Sequence, residues 1–457
     1  MKRITMKQIE EATGGRLIRG SGEVCVCHVS TDSRTCGEGD LFFALIGENH
    51  DAHRYLPQVW ESGCTCAVVS QEESCIREER AIHVIVVEDT VKALQDLAAW
   101  YLKSLDLKKI AVTGSTGKTS TRDLTWCVCS EKFKTQKNQG NLNNHLGVPL
   151  TILSLEEDTQ VAVLEMGMDR FGEIDLLAEL VRPDIGIITN IGMAHIENLG
   201  SREGIFKAKM ELTNYFDEDS TLIFYQEGEF LDKEKITGPY KVVTAGADGK
   251  SDFIISHIDD FGAEGIQFIL EYQGHMQKFR LPVPGRHNAF NGALAVAAGM
   301  QLGITMEEAA RGLEKAVLTD KRLTVRGKNG IKVIDDTYNA SPDSMKAAID
   351  VLMHTKGIRS VAVLGDMLEL GENSRRQHSL VGHCAAQKGV DLLIAVGREA
   401  RFIAEGAKEE GLEHVLAFPD KEAFLQTMDS ILEKGDVILV KGSRGMKMEK
   451  IVKKIME

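Results

Sequence analysis

Residues 109–123 read KIAVTGSTGKTSTRD, and this stretch decides the fold of the middle of the chain. The apolar run 110–112 is typical of a buried strand, the small residues 113–117 indicate a turn, and Lys118 opens a predicted helix. Such a turn forms a phosphate cradle, because backbone N–H groups and the helix dipole both point at the anion. We expect Lys118 to reach the β- and γ-phosphates and the Thr119 hydroxyl to bind Mg²⁺. The residues predicted to bind the nucleotide here are Gly114, Ser115, Thr116, Gly117, Lys118, Thr119 and Ser120.

The glycine spacing of this loop departs from the usual G-x-x-x-x-G-K-[ST] pattern. Val112 occupies the first glycine position, so the loop has the compact form T-G-x-x-G-K-T. The alternative interpretation is an ordinary strand-to-helix turn with a solvated lysine. Because the motif follows directly on an apolar strand, we predict a nucleotide site.

Length and composition indicate a globular protein with several domains. The chain has 457 residues, 43% hydrophobic and 27% charged, and roughly three domains are expected from that length. Its net charge of −14 argues against a nucleic-acid partner, which would require a basic face. The N-terminus lacks the apolar segment of a signal peptide, and no apolar run approaches the ~20 residues of a membrane span. We therefore expect a soluble, cytoplasmic protein without membrane insertion.

The nine cysteines include three C-x-C pairs and no C-x-x-C spacing. A zinc site would favour the latter spacing. An odd number of cysteines also prevents complete pairing within the chain. We expect reduced cysteines, as in the cytosol, and no metal site built from them.

Strand and helix signals divide the chain into three α/β units, predicted as residues 1–105, 106–318 and 319–457. The first opens with a helix for which Thr5 and Gln8 form a predicted capping box. The second is predicted to be a phosphate-loop ATPase-type domain, and the third a Rossmann-like domain.

Periodicity in the second unit predicts a mostly parallel sheet with helices on both faces. Apolar runs at 161–164, 185–189 and 222–224 alternate with helical stretches. The run 252–279 alternates apolar and polar residues around glycines, which predicts an antiparallel meander. The third unit repeats the strand–loop–helix pattern.

Polar residues follow two of these strands, at the sheet edge where ligands bind in such folds. Glu165 follows the run at 161–164, and Asn190 and His195 follow the run at 185–189. A carboxylate and an imidazole beside a phosphate loop are candidate ligands for a divalent cation. Each of these residues, taken singly, is more often structural, and both interpretations stay open.

By default, two lysines are expected to be exposed to solvent. Lys207 and Lys209 lie on a helix predicted over residues 204–216, where a solvated helical face is expected. Arg34 beside Asp32 suits a sugar nucleotide or a phosphate, against the alternative of a solvated turn.

Two asparagines begin a helix rich in small residues. Asn288 and Asn291 lie in its first turn. Asparagine there either caps the helix or contacts an adenine edge, and capping is the default.

Taken together, the motifs resemble those of the Mur ligases, the ATP-dependent amide-forming enzymes of peptidoglycan precursor synthesis. The resemblance covers all three units, and it implies that the first binds the UDP-sugar substrate, the second ATP and the third the amine substrate. It rests on STDSR (30–34), GDLFFAL (39–45), TGSTGKTST (113–121), GNLNNHLGVPLT (140–151), LEMGM (164–168), TNIGMAHIE (189–197), GRHNAFN (285–291), DDTYNASPDSM (335–345), LGDMLELGE (364–372) and VKGSRGMKME (440–449). The last three point to the member that adds D-alanyl-D-alanine, while the D-N-P-R motif of the diamino-acid-adding member is absent from the sequence.

The resemblance implies a ligase that joins D-Ala-D-Ala to UDP-MurNAc-tripeptide through an acyl phosphate. It implies ATP and two Mg²⁺ ions as cofactors, a carbamylated lysine at Lys209, and a monomer. Met210 follows that lysine where glycine is common, and His145 stands where glutamate is common. The sequence leaves open whether the third residue of the tripeptide is lysine or diaminopimelate, and whether D-Ala-D-lactate is accepted.

The resemblance also implies roles for individual residues. The implied catalytic residues are Lys118, His195, Lys209 and Arg322, with Arg322 placed at the γ-phosphate. The implied metal ligands are Thr119, Glu165, His195 and Lys209. Further nucleotide contacts are implied for Asn288, Asn291, Arg322, Tyr338 and Asn339, and substrate contacts for Ser30, Asp32, Ser33, Arg34, Asn143 and Asn144.

Three alternatives compete with this interpretation. A folylpolyglutamate synthase shares the phosphate loop but lacks the STDSR-type first domain. A phosphate-loop kinase or GTPase shows the full glycine spacing, and a GTPase an N-K-x-D motif; neither occurs in the sequence. A non-enzymatic nucleotide-binding regulator has no need of residues for two metal ions.

Overall fold

The computed structural model describes residues 1–47, 50–72, 80–319 and 321–457. It is a mixed α/β protein with sheets of five, nine, six and two strands. Most strand pairs are parallel, which confirms the predicted fold class. In the described part of the chain, no helix has the length and apolar character to cross a membrane. The eight cysteines described there form no disulfide with one another, and five of them are buried.

Residues 16–86 contain the five-stranded sheet, and residues 4–5 pair with residues 25–26 in a separate two-stranded sheet. The strands are β1 (Ile4–Thr5), β2 (Arg16–Arg19), β3 (Cys25–Val26), β4 (His28–Ser30), β5 (Asp40–Phe43), β6 (Cys66–Val69) and β7 (His83–Val86). The helices are α1 (Met6–Thr13), α2 (Leu56–Glu61) and α3 (Thr90–Lys103). The sheet order is β2-β7-β6-β5-β4, parallel except for the edge strand β2. Thr5 and Gln8 form the predicted capping box before α1.

Residues 108–281 contain the nine-stranded sheet. The strands are β8 (Lys108–Thr113), β9 (Thr135–Lys137), β10 (Val161–Glu165), β11 (Ile185–Ile188), β12 (Thr221–Tyr225), β13 (Lys241–Gly246), β14 (Phe253–Asp260), β15 (Ile266–Tyr272) and β16 (His275–Leu281). The helices up to residue 314 are α4 (Lys118–Cys129), α5 (Gly147–Ile152), α6 (Glu173–Val181), α7 (Ile196–Leu199), α8 (Arg202–Met210), α9 (His287–Gln301) and α10 (Met306–Glu314). The sheet order is β16-β15-β14-β13-β12-β11-β8-β10-β9.

Two predictions for this region have clear outcomes. The predicted meander is confirmed, because β14, β15 and β16 pair as antiparallel neighbours. The helix predicted over 204–216 is wrong in its bounds. The helix α8 begins earlier, because the Ser201 side chain caps it by accepting a hydrogen bond from the backbone N–H of Gly204. It also ends earlier, at Met210, where a short 3₁₀ turn follows.

The C-terminal residues contain the six-stranded sheet. Its strands are β17 (Thr324–Lys328), β18 (Ile331–Asp336), β19 (Arg359–Gly365), β20 (Leu392–Val396), β21 (Val415–Phe418) and β22 (Asp436–Lys441). The helices are α11 (Pro342–His354), α12 (Ser374–Gln387), α13 (Arg401–Glu409), α14 (Lys421–Thr427) and α15 (Glu449–Ile455). The order is β17-β18-β22-β19-β20-β21, with only β17 antiparallel. Separate apolar clusters pack around Ile349 and around Phe424, each including residues of the central strands.

The chain packs into two compact units. The first comprises residues 1–111, 133–168 and 173–184, and the second comprises residues 112–132, 169–172 and 185–457. The phosphate-loop residues 114–120 lie in the second unit, whereas Glu165 and residues 30–34 lie in the first. The predicted domain boundaries after residues 105 and 318 stay predictions.

Candidate active site

The loop between β8 and α4 requires glycine at two positions. Gly114 has a φ of +150°, and a Cβ there would lie 1.8 Å from Thr189 Oγ1. Gly117 has a φ of +78°, and its Cβ would lie 2.8 Å from Asn291 Oδ1. Residues with a side chain rarely adopt such backbone angles, and neither position has room for an added methyl group. The loop therefore has the close-packed backbone expected of a phosphate cradle.

Residues at the end of β11 hold this loop. The Thr116 N–H donates to Asn190 Oδ1 at 3.0 Å, and Asn190 Nδ2 donates to Thr116 Oγ1 at 2.8 Å. Thr189 Oγ1 donates to the Thr116 carbonyl at 2.5 Å. Ser115 Oγ accepts from the Gly192 N–H at 2.9 Å. We call this set of contacts the loop clamp. The sequence marked Asn190 only as a polar residue after a strand, and its position there was the one available signal for this role.

Lys118 lies in the first turn of α4 and folds back over the loop. Its Nζ donates to the Gly114 carbonyl at 2.8 Å. Gly117 occupies the N-cap position and has no side chain to bond to the first N–H groups of the helix. The following residues Thr119 and Ser120 are buried. A cation and a helix N-terminus thus come together at the loop, and both favour an anion.

Lys209 is buried near this cation. Its side chain lies at the end of α8 and is 1% exposed. Burial lowers the pKa of Lys209 well below its usual value, and the charge of Lys118 lowers it further. The default interpretation of a solvated lysine is therefore wrong for Lys209. It is confirmed for Lys207, which is exposed and pairs with Glu203 at 2.8 Å.

His195 meets two carboxylates in the second unit. Its Nδ1 lies 2.9 Å from Asp169 Oδ1 and 3.1 Å from Glu369 Oε2. The three potential ligand atoms all lie within 4.8 Å of one another, and the His195 ring beside it lowers the pKa of Glu369. Neither Asp169 nor Glu369 was among the predicted site residues. The sequence did carry a signal for both, because each follows the end of a strand: Asp169 comes directly after LEMGM, and Glu369 lies within LGDMLELGE.

Glu165, which lies in the first of the two compact units, is held by the neighbouring segment 138–144. It is 2% exposed, and its Oε1 accepts from Asn143 Nδ2 at 2.8 Å. Asn138 bonds to both backbone groups of Glu165, at 2.9 and 3.0 Å. Asn144 Oδ1 accepts from the Gly147 N–H at 2.9 Å, at the start of α5. The predicted substrate residues Asn143 and Asn144 thus have structural contacts here, and their substrate contacts stay predictions.

The STDSR segment forms a turn in which Arg34 is engaged by Asp32. Arg34 Nε and Nη2 donate to the two Asp32 carboxylate oxygens at 2.8 and 2.6 Å. Hydrogen bonding to Arg34 lowers the pKa of Asp32 to about 2. The Asp32 N–H donates to Ser30 Oγ at 3.2 Å, and Ser33 is half-buried. A phosphate bound by Arg34 has to compete with the Asp32 carboxylate.

The asparagines of α9 do not cap their helix, so the default interpretation is wrong. Asn288 Nδ2 donates to the Pro284 carbonyl at 2.7 Å, and Asn291 Nδ2 donates to Asn288 Oδ1 at 2.9 Å. Arg286 occupies the N-cap position without a side-chain capping hydrogen bond. Asn291 lies against Gly117 of the phosphate loop. An adenine contact stays a prediction.

Three predicted residues lie together near the carboxyl end of β18. The Arg322 guanidinium lies over the Tyr338 ring, 4.1 Å from its centroid, and its buried Nε has no hydrogen-bond partner among the described residues. The Asn339 carbonyl accepts from Lys441 Nζ at 2.9 Å. The guanidinium of Arg444, which was not a predicted site residue, lies over the same ring, 5.7 Å from its centroid. These cations gather at the carboxyl ends of β18 and β22.

Known family models match two parts of the chain. The Mur ligase middle domain matches residues 112–299, and the Mur ligase, glutamate ligase domain matches residues 321–444. The chain belongs to the Mur ligase family, and the resemblance seen in the sequence is confirmed.

Full-length relatives narrow this class further. UDP-N-acetylmuramoyl-tripeptide–D-alanyl-D-alanine ligase of Bacillus subtilis is 40% identical, covering 99% of this chain and 98% of its own length. A crystal structure of MurF from Acinetobacter baumannii has a TM-score of 0.90 at 34% identity, covering 100% of this chain and 99% of its own. MurF ligase from Thermotoga maritima, solved in complex with ADP, has a TM-score of 0.81 at 26% identity, covering 93% and 96%.

The loop clamp predicts a nucleotide-binding defect in Asn190→Ala. The substitution removes the side-chain hydrogen bonds to Thr116, which together contribute about 2 kcal/mol net, so we expect the Kd for ADP to rise about 10- to 30-fold. Isothermal titration calorimetry measures this Kd. Asn198→Ala, at an exposed position on α7, serves as the control and should bind ADP as the wild type does. An unchanged Kd in Asn190→Ala would contradict the role of the clamp.

Proposed function

We propose that this chain joins D-alanyl-D-alanine to UDP-MurNAc-tripeptide with hydrolysis of ATP, forming the pentapeptide precursor of peptidoglycan for cell-wall growth, cell shape and division. The observation that carries the ATP-dependent step is the clamped phosphate loop with Lys118 folded over it. The choice of substrates is supported by full-length relatives that bear the name of this activity.

The reaction proceeds in two steps. A carboxylate oxygen of the tripeptide attacks the γ-phosphorus of ATP, an acyl phosphate forms, and the bond to ADP breaks. The free amine of D-Ala-D-Ala then attacks the acyl carbon. The C–O bond to the phosphate breaks, inorganic phosphate leaves with that oxygen, and the amine nitrogen releases a proton.

Charge is the main obstacle to the first step. The carboxylate and the γ-phosphate repel each other by about 4 kcal/mol at 4 Å, for an effective dielectric near 20. Phosphoryl transfer therefore depends on positioning and on neutralising charge. Lys118 provides a cation at the loop, and Arg322 is assigned to the γ-phosphate from the C-terminal residues. Its unpaired Nε and its stacking on Tyr338 leave donors for an anion.

Magnesium supplies the remaining positive charge when it is bound. The residues assigned to hold the two ions are Thr119, Glu165, His195 and Lys209, and their hydroxyl, carboxylate and imidazole groups suit a hard cation. Asn143 fixes one oxygen of Glu165, which limits how that carboxylate can turn.

Lys209 is assigned as a carbamate. Only a neutral amine adds to CO₂: the nitrogen forms a bond to carbon, and a proton leaves. The burial of Lys209 and the nearby Lys118 lower its pKa, and thereby favour this neutral form. The product carries a carboxylate-like group on a long stem, which binds a cation as the ammonium cannot.

The other assignments follow the family pattern. Ser30, Asp32, Ser33 and Arg34 are assigned to the UDP-sugar, and Asn143 and Asn144 to the rest of that substrate. Asn288 and Asn291 are assigned to the adenine, and Tyr338 and Asn339 to the nucleotide side. The three predicted domains close over the site and exclude water from the acyl phosphate. The enzyme works as a cytoplasmic monomer.

The substrate pair gives the direct test of this function. Purified protein should release phosphate from ATP only when UDP-MurNAc-tripeptide and D-Ala-D-Ala are both present, since each step needs its own substrate. Phosphate assay with mass detection of the pentapeptide measures it, using lysine- and diaminopimelate-containing tripeptides. Lys118→Ala should remain folded and release none. Equal turnover with a pteroyl substrate would favour a folylpolyglutamate synthase instead.

The carbamate assignment predicts chemical rescue. Lys209→Ala should lose activity, and short carboxylic acids should restore part of it, because they supply the missing oxygen ligand. Ligation rate against acid concentration measures this effect. Lys207→Ala is the matched control and should keep full activity without added acid. A Lys209→Ala enzyme that does not respond to any short acid would count against the carbamate.

A further inference from the structure

Two adjacent residues of α4 hold the chain at Thr319. Asp123 Oδ2 accepts from the Thr319 N–H at 2.8 Å and from its hydroxyl at 2.7 Å. Asp123 Oδ1 accepts from Arg122 Nε at 3.0 Å and from Nη2 at 2.7 Å. Arg122 Nη2 also donates to Thr319 Oγ1 at 2.9 Å. These three residues form a closed set of hydrogen bonds, which we call the linker anchor.

The linker anchor is buried and charged. Arg122 and Asp123 are both 0% exposed, and Thr319 is half-buried. Hydrogen bonds to charged groups are stronger than those between neutral groups, and the low dielectric of the interior strengthens them further. A buried ion pair often adds no stability over apolar residues of the same size, so stability alone does not account for these residues. What the pair provides is a fixed position for Thr319.

The linker anchor connects two parts of the site along a short path. Thr319 lies between the stretches that the two family models match, residues 112–299 and 321–444. The anchor carboxylate lies five residues along α4 from Lys118, a rise of about 7.5 Å in a helix. Arg322 lies three residues beyond Thr319, a reach of at most about 11 Å. The anchor therefore limits how far Arg322 can move from the helix that carries Lys118.

The backbone of Arg322 is also held from the side of β18. The Tyr338 N–H donates to the Lys321 carbonyl at 3.3 Å. The Leu323 N–H donates to Asp336 Oδ1 at 3.3 Å. Lys321 has a φ of +64° and Leu323 a φ of +51°, and such left-handed backbone persists in residues other than glycine where the surrounding structure fixes it. Arg322 thus lies between two points of attachment.

This attachment gives the linker anchor a role in the reaction. We propose that Asp123 and Thr319 are positioning residues that hold Arg322 where it meets the γ-phosphate of ATP bound at the phosphate loop. A cation placed in advance loses less conformational freedom when the phosphate binds. ADP lacks that phosphate, so its binding does not depend on the anchor. This inference rests on the proposed role of Arg322 at the γ-phosphate.

Paired nucleotide affinities test the proposal. Thr319→Val keeps the size of the side chain and removes its hydroxyl, so the Kd for AMP-PNP should rise about 5-fold, within the range for residues that act through others. The Kd for ADP should stay within about twofold of the wild-type value. Isothermal titration calorimetry of the full chain with Mg²⁺ measures both constants. Thr319→Ser restores the hydroxyl and should recover the wild-type affinity for AMP-PNP.

Two controls separate positioning from a general loss of structure. Thr355→Val loses another buried hydroxyl, which donates to the Val351 carbonyl at 2.7 Å, and should bind both nucleotides as the wild type does. In an Arg322→Ala background, Thr319→Val should not weaken AMP-PNP binding further, because the residue that it positions is gone. Asp123 is left in place, since loss of its carboxylate would remove a counter-charge from the buried Arg122.

The possible failures are distinguishable from one another. AMP-PNP binding that is unchanged in Arg322→Ala would overturn the role of Arg322 at the γ-phosphate. Weaker binding in Arg322→Ala together with wild-type binding in Thr319→Val would overturn the role of the linker anchor alone. An equal loss of ADP and AMP-PNP affinity in Thr319→Val, or a loss that persists beside Arg322→Ala, would show that Thr319 acts without Arg322 and would overturn the positioning role.

Discussion

The hydrogen bonds between Asn190 and Thr116 tie the phosphate loop to the end of β11, and the candidate site is built on that attachment. Asn190 bonds to both the backbone N–H and the hydroxyl of Thr116, while Thr189 bonds to its carbonyl. The loop N–H groups thus have a fixed direction before a nucleotide arrives. A site ordered in advance loses less conformational freedom on binding. Glycines at 114 and 117 permit the close approach that the clamp needs.

The side-chain amines of Lys118 and Lys209 lie beside this loop and differ in their electrostatic roles. Lys118 lies over the loop, where a cation offsets phosphate charge, and Lys209 is buried within reach of its field. The two like charges disfavour each other, and burial makes Lys209 the one whose pKa is lowered. The loop cation thereby also lowers the pKa of Lys209, the residue proposed to be carbamylated.

Local patterns explain which features were predictable. Parallel sheets and the phosphate loop follow from strand–helix alternation and from glycines at a turn, so they could be read from the sequence. The burial of Lys209 could not, because α8 has nine residues and its spacing does not reveal which face is covered; the family motif pointed to it. Contacts such as His195 with Glu369 depend on which loops meet in the fold. No local pattern encodes that meeting, and the capping default for Asn288 failed for the same reason.

Oxygen transfer tests the acyl-phosphate account most directly. The tripeptide is labelled with ¹⁸O in the carboxylate that accepts the amine, and the released phosphate is analysed by mass spectrometry after ligation to D-Ala-D-Ala. The account predicts one ¹⁸O in each phosphate and one retained in the new amide, because the attacking oxygen leaves with phosphorus. Phosphate without ¹⁸O, alongside normal formation of the pentapeptide, would contradict it.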